Sequence, residues 1–212
     1  MRLNPIATDA SKRAEILEDL QRLVAHCASR ELRVCQGCDT PCACSGSRTC
    51  TCMCSPSCEH APRAMSSDPD AHPIESGISP LVYGLNCLRV CPPYWSCEGH
   101  RFPSGEIMRV PQVWFFTRSL IYPKLISDYL HEQLRDRTIS NPWQVSLTYA
   151  ENSLETGFSI EPDVKLITRP DLESMQRDVG VISDRLVDGL ARLAREALSR
   201  HNASTASNAM AF

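Results

Sequence analysis

The pattern of hydrophobic and polar positions along the chain predicts four helices. Apolar side chains that recur every three or four residues share one face of a helix, and that face can pack on other elements. This spacing is found in residues 9–30, 79–88, 120–134 and 168–197. The last stretch is about 30 residues long and exceeds a typical globular helix. We therefore expect it either to lie across a sheet or to pair with a second chain.

Four other stretches have the composition or the alternation of strands. Residues 94–97 and 113–117 are rich in aromatic side chains, and residues 143–149 alternate between apolar and polar positions. Residues 157–160 are placed to pair with 143–149 across a polar turn. The polar stretch 98–109 is predicted to be a loop. This order of helices and strands predicts an α/β (α+β) two-layer sandwich with a mixed, largely antiparallel sheet.

Composition divides the chain into five parts. We expect an N-terminal helix, a cysteine-rich metal-binding segment, a linker rich in proline and serine, one α/β domain and a disordered tail. Their boundaries are residues 1–34, 35–60, 61–78, 79–200 and 201–212, respectively.

The cysteine-rich segment is the strongest chemical signal in the sequence. Residues 35–60 contain no Leu, Ile, Val, Phe, Tyr or Trp, so the segment cannot bury a core of its own. Ordering it requires free energy from elsewhere, and one structural zinc ion contributes about 10–16 kcal/mol. Eight of the twelve cysteines lie here, and they are predicted to bind metal ions: Cys35, Cys38, Cys42, Cys44, Cys50, Cys52, Cys54 and Cys58.

The spacing of these cysteines favours zinc held in a small thiolate cluster. Each arm of the segment, residues 35–44 and 50–58, offers four thiolates, which is the ligand number of a closed zinc site. An iron–sulfur cluster is the alternative, although neither arm matches a standard ferredoxin run. A disulfide framework is disfavoured because residues 1–13 lack the apolar stretch of a secretory signal. A further alternative is a low-complexity segment that binds no metal.

A second group of reactive side chains lies where a predicted strand ends, in the run Ser96-Cys97-Glu98-Gly99-His100. Cys97 and His100 could bind a metal, with Glu98 as a general base on bound water. Alternatively, Cys97 could be a nucleophile activated by His100. The third interpretation is structural, with Cys97 buried and the loop held by hydrogen bonds. Two nearby cysteines, Cys87 and Cys91, could add metal ligands or simply pack as small apolar residues.

The run PLVYGLN…SCEGH…VWFF, between Pro80 and Phe116, is similar to the short S-C-x-G segment of the tRNA wybutosine-synthesising methyltransferases. The similarity covers only a small part of the chain. His100 stands where that family tends to have a basic residue. We carry no property of the family over to this chain.

Charge and hydropathy narrow the classes of function. The net charge of −3 does not indicate nucleic-acid binding. No apolar run is long enough to span a membrane, so a cytoplasmic protein is expected. The leading hypothesis is a metal-binding protein in which the thiolate cluster orders the N-terminal half against the α/β domain. The alternatives are an enzyme that uses Cys97, Glu98 and His100, and a homodimeric interaction module that uses residues 172–197.

Overall fold

The computed structural model describes residues 10–28, 74–149 and 156–209. The cysteine-rich segment and its eight predicted ligands lie outside these residues. Four helices and six strands are found in the described ranges. In chain order they are α1 (Ala10–Ala28), α2 (Ser79–Cys87), β1 (Pro93–Cys97), β2 (His100–Arg101), β3 (Ile107–Arg109), β4 (Gln112–Thr117), α3 (Ile121–Arg135), β5 (Trp143–Tyr149), β6 (Thr156–Pro162) and α4 (Leu172–Ala209).

Four of the strands form one sheet in the order β1-β4-β6-β5, and β2 pairs with β3 in a separate hairpin. Every strand pair among the described residues is antiparallel. The predicted α+β class with a largely antiparallel sheet is therefore confirmed, and no parallel pair is found in these ranges. The predicted pairing of residues 157–160 with residues 143–149 is also present.

The sheet has an inner face toward the helices and an outer face that carries aromatic rings. In β4, Val113, Phe115 and Thr117 are buried, whereas the residues between them are partly exposed. On the outer face the ring of Tyr94 stacks on Phe116 with centroids 4.0 Å apart. Its hydroxyl hydrogen-bonds with Thr148 Oγ1 at 3.3 Å. Aromatic side chains between residues 94 and 116 thus lie on both faces of one sheet.

The core lies between the inner face of the sheet and helices packed around α4. Helix α4 contacts α1, α2 and α3, and its apolar stripe from Leu172 to Ala194 is buried. Leu20 and Leu23 of α1 belong to the same hydrophobic core. The N-terminal helix is therefore part of the domain that the sequence placed at residues 79–200.

The burial of the apolar stripe of α4 is relevant to the homodimer predicted through residues 172–197. Its apolar side chains are used within the chain itself, which is the core-packing alternative of the sequence analysis. Whether two chains associate through this range stays a prediction.

Three local features differ from the sequence-based expectations. Residues 98–109 contain the β2–β3 hairpin instead of an unstructured loop. The end of the expected linker belongs to the domain, since Ile78 is fully buried. Helix α4 continues to Ala209, into the expected disordered tail, because no glycine or proline follows Gly189 to end it.

The start of α4 is capped by a side chain. The carboxylate Oδ2 of Asp171 accepts the backbone N–H of Ser174 at 3.1 Å. Asp171 is therefore the N-cap of α4.

Candidate metal centre

Three side chains with metal-ligating atoms meet at the edge of the sheet. They are Glu75, which precedes α2, Cys97 at the end of β1, and His100 at the start of β2. One ligand atom from each lies within 4.8 Å of the other two. Glu75 and Cys97 are buried, and the side chain of His100 is 31% exposed.

The turn after β1 brings Cys97 and His100 together. Gly99 has φ +89°, a left-handed conformation that L side chains rarely adopt. A Cβ atom at this position would lie 2.6 Å from Leu172 Cδ1 and 3.0 Å from the ring of Pro111. Only glycine therefore suits both the backbone conformation and the close approach. Beyond the turn, His100 pairs with Arg109 in the β2–β3 hairpin.

Glu75 reaches this turn through two contacts made by its carboxylate. Its Oε1 lies 2.9 Å from His100 Nε2, and its Oε2 accepts the backbone N–H of Glu98 at 2.7 Å. In return, the carboxylate of Glu98 accepts the backbone N–H of Gly77 at 2.7 Å. These reciprocal bonds fasten the segment before α2 to the turn after β1, and they fix the orientation of the Glu75 carboxylate.

Cys97 is held by the same turn. The backbone N–H of Gly99 points at Cys97 Sγ at a distance of 3.4 Å. The residue is completely buried. Contacts of this kind around a ligand atom orient it toward a metal and hold it in place.

The hairpin that carries His100 is tied to the start of α4 by Arg101. Its Nη2 lies 2.6 Å from Glu173 Oε2, and its Nη1 donates to the carbonyl of Gly105 at 2.8 Å. The hydrogen bond from Arg101 lowers the pKa of Glu173 to about 2. The guanidinium of Arg101 is thus used to anchor the hairpin.

The three ligand atoms all lie within 4.8 Å of one another, which can be compared with the spacing in a tetrahedral zinc site. Ligand atoms at about 2.0–2.3 Å from zinc lie about 3.3–3.7 Å from one another. Glu75 Oε1 and His100 Nε2 are closer than that, at 2.9 Å. Binding an ion would require this pair to open by about half an ångström.

The structure places the predicted site residues in different roles. Cys97 and His100 belong to the group of three. Glu98 does not: its carboxylate accepts the backbone N–H of Gly77, and its backbone carbonyl accepts the side-chain amide of Gln176 at 3.0 Å. Because Cys97 is fully buried, the geometry does not favour its role as a nucleophile. The catalytic roles of these three residues stay predictions.

The remaining described cysteines pack as apolar side chains. Cys91 is fully buried in the hydrophobic core, and Cys87 and Cys27 are packed against it. Burial raises the pKa of all three thiols, that of Cys27 to about 11. Neither Cys87 nor Cys91 belongs to the group formed by Glu75, Cys97 and His100.

Sequence reasoning missed Glu75 because it lies in the expected linker. One available signal was the apolar pair Ile74 and Ile78, which flanks it at helical spacing and indicates that this end of the linker packs on the domain. The contact itself joins residues 23 positions apart, and no spacing rule within a single element predicts it.

Comparisons with known proteins add no family assignment. No family model, no curated protein and no solved structure matches the chain. The similarity to the S-C-x-G segment of the tRNA wybutosine-synthesising methyltransferases therefore gains no support. Within the described residues, none of the helices combines the length and the hydrophobicity that a membrane span requires.

Proposed function

We propose that this chain is a metal-binding protein and that its α+β domain holds one zinc ion between Glu75, Cys97 and His100. The observation that carries the proposal is the approach of these three ligand atoms to within 4.8 Å from two separate parts of the chain. Two of the three residues, Glu75 and Cys97, are buried, so an ion bound by them would be largely shielded from water. The cysteine-rich segment 35–58 is the second part of the proposal, as a zinc thiolate cluster, with an iron–sulfur cluster as the alternative.

The donor set is the reason for choosing zinc. Imidazole nitrogen, thiolate sulfur and carboxylate oxygen together suit a borderline ion, and zinc binds all three types. Calcium and magnesium prefer oxygen ligands alone. Three protein ligands leave a fourth tetrahedral position for water or a further group.

The open fourth position supports a metal-dependent enzyme as the second candidate. Zinc with three protein ligands can polarise a bound water or a substrate carbonyl. Because the side chain of His100 is partly exposed, one side of the proposed centre would lie at the protein surface. In this version Cys97 is a ligand and not a nucleophile, which agrees with its complete burial.

Elemental analysis of matched variants tests the proposal. His100→Ala removes one ligand, and Glu75→Gln keeps the size of the side chain while removing its negative charge. His131→Ala is the control, since His131 is an exposed histidine of α3 outside the site. Because the cysteine-rich segment is expected to bind zinc as well, the quantity compared is the difference in zinc per chain between each variant and the unmodified protein.

We expect His100→Ala to bind one zinc ion fewer than the unmodified protein after dialysis against buffered zinc. Glu75→Gln should bind the ion more weakly, and His131→Ala should bind the full number. Equal zinc content in His100→Ala and His131→Ala, with unchanged circular dichroism, would contradict the site.

A further inference from the structure

We propose that β5 is a contact surface between two copies of this chain, whose sheets it joins edge to edge. β5 is the last strand of the four-stranded sheet, in the order β1-β4-β6-β5. One of its edges pairs with β6, and no strand among the described residues pairs with the other, which we call the outer edge. The outer edge shares no residue with the proposed metal centre, so this inference does not depend on the proposed function.

The hydrogen bonds between β5 and β6 show which backbone groups point to the outer edge. The carbonyl of Pro142 accepts the backbone N–H of Asp163 at 2.8 Å. In an antiparallel ladder, such a bond flanks a residue that exchanges no hydrogen bond with its own partner, and here that residue is Trp143. Because the two kinds of pair alternate along a ladder, Val145 and Leu147 are in the same position. Their N–H and C=O groups therefore point away from β6.

β5 lacks the features that protect the other edge of the sheet. Edge strands are commonly protected by short length, proline, a bulge or a lysine. β1 has five residues, starts with Pro93 directly after Pro92, and is irregular in its first half. β5 has seven residues, with no proline and no charged side chain, and its one irregularity follows Leu147 near its end. The outer edge of β5 is therefore the longer edge open to pairing.

The side chains of β5 also indicate an apolar contact at this edge. Leu147 lies opposite Phe158, so it belongs to the inner face of the sheet, yet its side chain is 62% exposed. Val145 lies on the same face and packs against the hydrophobic core. A large apolar side chain is thus left uncovered where the inner face reaches the outer edge.

Self-pairing satisfies both the backbone groups and the side chains. We consider two antiparallel β5 strands related by a two-fold axis at Ser146. Val145 of each copy then lies opposite Leu147 of the second copy, and their outward N–H and C=O groups can exchange hydrogen bonds. The same register places apolar beside apolar side chains on the inner face and Ser146 beside its own copy on the outer face.

This symmetry is the reason for choosing a second copy as the partner. A two-fold contact brings each side chain close to an identical one, so any charge on the strand would meet a like charge. β5 carries none. A strand pair of this length is a small contact beside the roughly 1,200–2,000 Å² of a standard interface. The dimer is therefore weak and dependent on concentration.

Analytical ultracentrifugation of the full chain in reducing buffer, from about 1 μM to about 1 mM, measures the association. Leu147→Lys places a charge at the centre of the contact, and lysine is a residue that natural edge strands use to prevent pairing. Leu166→Lys is the matched control, since Leu166 is 69% exposed and lies between β6 and α4. Both side chains are exposed in the single chain, so neither change should disturb folding, which circular dichroism checks.

We expect the parent and Leu166→Lys to reach twice the mass of one chain as the concentration rises. Leu147→Lys should associate at least about tenfold more weakly. The proposal is overturned if the parent stays monomeric at about 1 mM. It is also overturned if Leu147→Lys associates as well as Leu166→Lys, which is the result expected of a dimer formed through residues 172–197.

Amide hydrogen exchange followed by NMR locates the contact independently. The N–H groups of Val145 and Leu147 should exchange more slowly as the parent dimerises, because they gain partners in the second copy. The N–H of Ser146 points to β6 and should change less. A dimer in which the exchange of Val145 and Leu147 does not change would place the contact elsewhere and overturn the proposal.

Discussion

At the scale of single residues, the two glycines of α4 differ in their surroundings. A Cβ atom at Gly189 would lie 2.5 Å from two ring carbons of Tyr129, whereas at Gly180 nothing lies within 4 Å. The ring of Tyr129 cannot easily move aside, because the residue is buried and its hydroxyl donates to the carbonyl of Ile182 at 2.9 Å. The same substitution should therefore have opposite effects at the two positions.

We expect Gly189→Ala to lower the free energy of unfolding by about 1–3 kcal/mol through overpacking. Gly180→Ala should raise it by up to about 1 kcal/mol, because alanine is the better helix former. Urea denaturation followed by circular dichroism measures both values. A stabilised Gly189→Ala variant would show that the packing of α4 against Tyr129 is not as described.

The thiol of Cys27 gives a prediction that depends on pH. Burial, the largest cause, raises its pKa from 9.0 to about 11, with Arg195 opposing and Cys87 adding to the shift. The reactive thiolate is then about a hundredfold scarcer near pH 8 than in an unperturbed cysteine. Alkylation by iodoacetamide, read peptide by peptide in a mass spectrometer, should be slow at Cys27 in the folded protein and fast in urea.

The same shift fixes the sign of the effect on stability. The unfolded thiol loses its proton near pH 9.0 and the folded thiol near about 11. The contribution of Cys27 is therefore complete below pH 9 and declines as the pH rises from 9 to 11. Cys27→Ala should lose less stability than the parent over this interval, and an equal loss in both proteins would contradict the assignment.

Two of the three residues of the proposed metal centre could be predicted from the sequence. Cys97 and His100 are near neighbours at the end of a recognisable strand, so their spacing in the sequence was sufficient to group them. Glu75 could not be found in this way, because it reaches the turn only after α2 has packed on the core. The eight cysteines at residues 35–58 lie outside the described residues, and their role stays a prediction.

At the scale of elements, Asp178 connects α4 to the strand β5. Its Oδ1 accepts the backbone N–H of Ser140 at 2.9 Å, and its Oδ2 accepts both the backbone N–H and the side-chain amide of Asn141 at 2.9 and 2.8 Å. The indole N–H of Trp143 lies 3.3 Å from the same oxygen. One buried carboxylate thus satisfies most of the donors at the start of β5.

We expect Asp178→Ala to lower the free energy of unfolding by about 3 kcal/mol or more, because several buried donors would lose their partner. Asp184→Ala is the control, since Asp184 is an exposed aspartate of the same helix and should change stability by less than about 0.5 kcal/mol. Chemical denaturation compares the two variants. Similar stabilities would mean that the junction does not depend on this carboxylate.

The longer elements could be predicted from the sequence and the β2–β3 hairpin could not. The boundaries of β4, α3 and β5 lie within one residue of the expected ones, because burial imposes a regular period on their side chains. Strands β2 and β3 span two and three residues, with partly or fully exposed side chains. Such short strands leave no hydrophobic period to detect.

At the scale of the whole molecule, α1 belongs to the same core as the domain. Ile74, the first described residue after the cysteine-rich segment, also packs against this core cluster. The cysteine-rich segment therefore lies between two parts of a single folded unit and does not join two separate ones.

A substitution in α1 tests this unity. We expect Leu23→Ala to lower the free energy of unfolding of the whole domain by about 2–5 kcal/mol, because Leu23 is 1% exposed within the shared core. Ile16→Ala is the control in the same helix, where the side chain is 37% exposed. Thermal unfolding should show one transition that shifts only for Leu23→Ala. A shift confined to a separate early transition would mean that α1 folds independently.

The most direct test of the proposed metal centre is anomalous diffraction from crystals of the full chain grown with zinc, with data collected on both sides of the zinc absorption edge. We predict an anomalous peak about 2.0–2.3 Å from Glu75 Oε1, Cys97 Sγ and His100 Nε2. If no peak lies there and His100 Nε2 remains in hydrogen-bond contact with Glu75 Oε1, the three residues form a structural contact and the proposed centre is wrong.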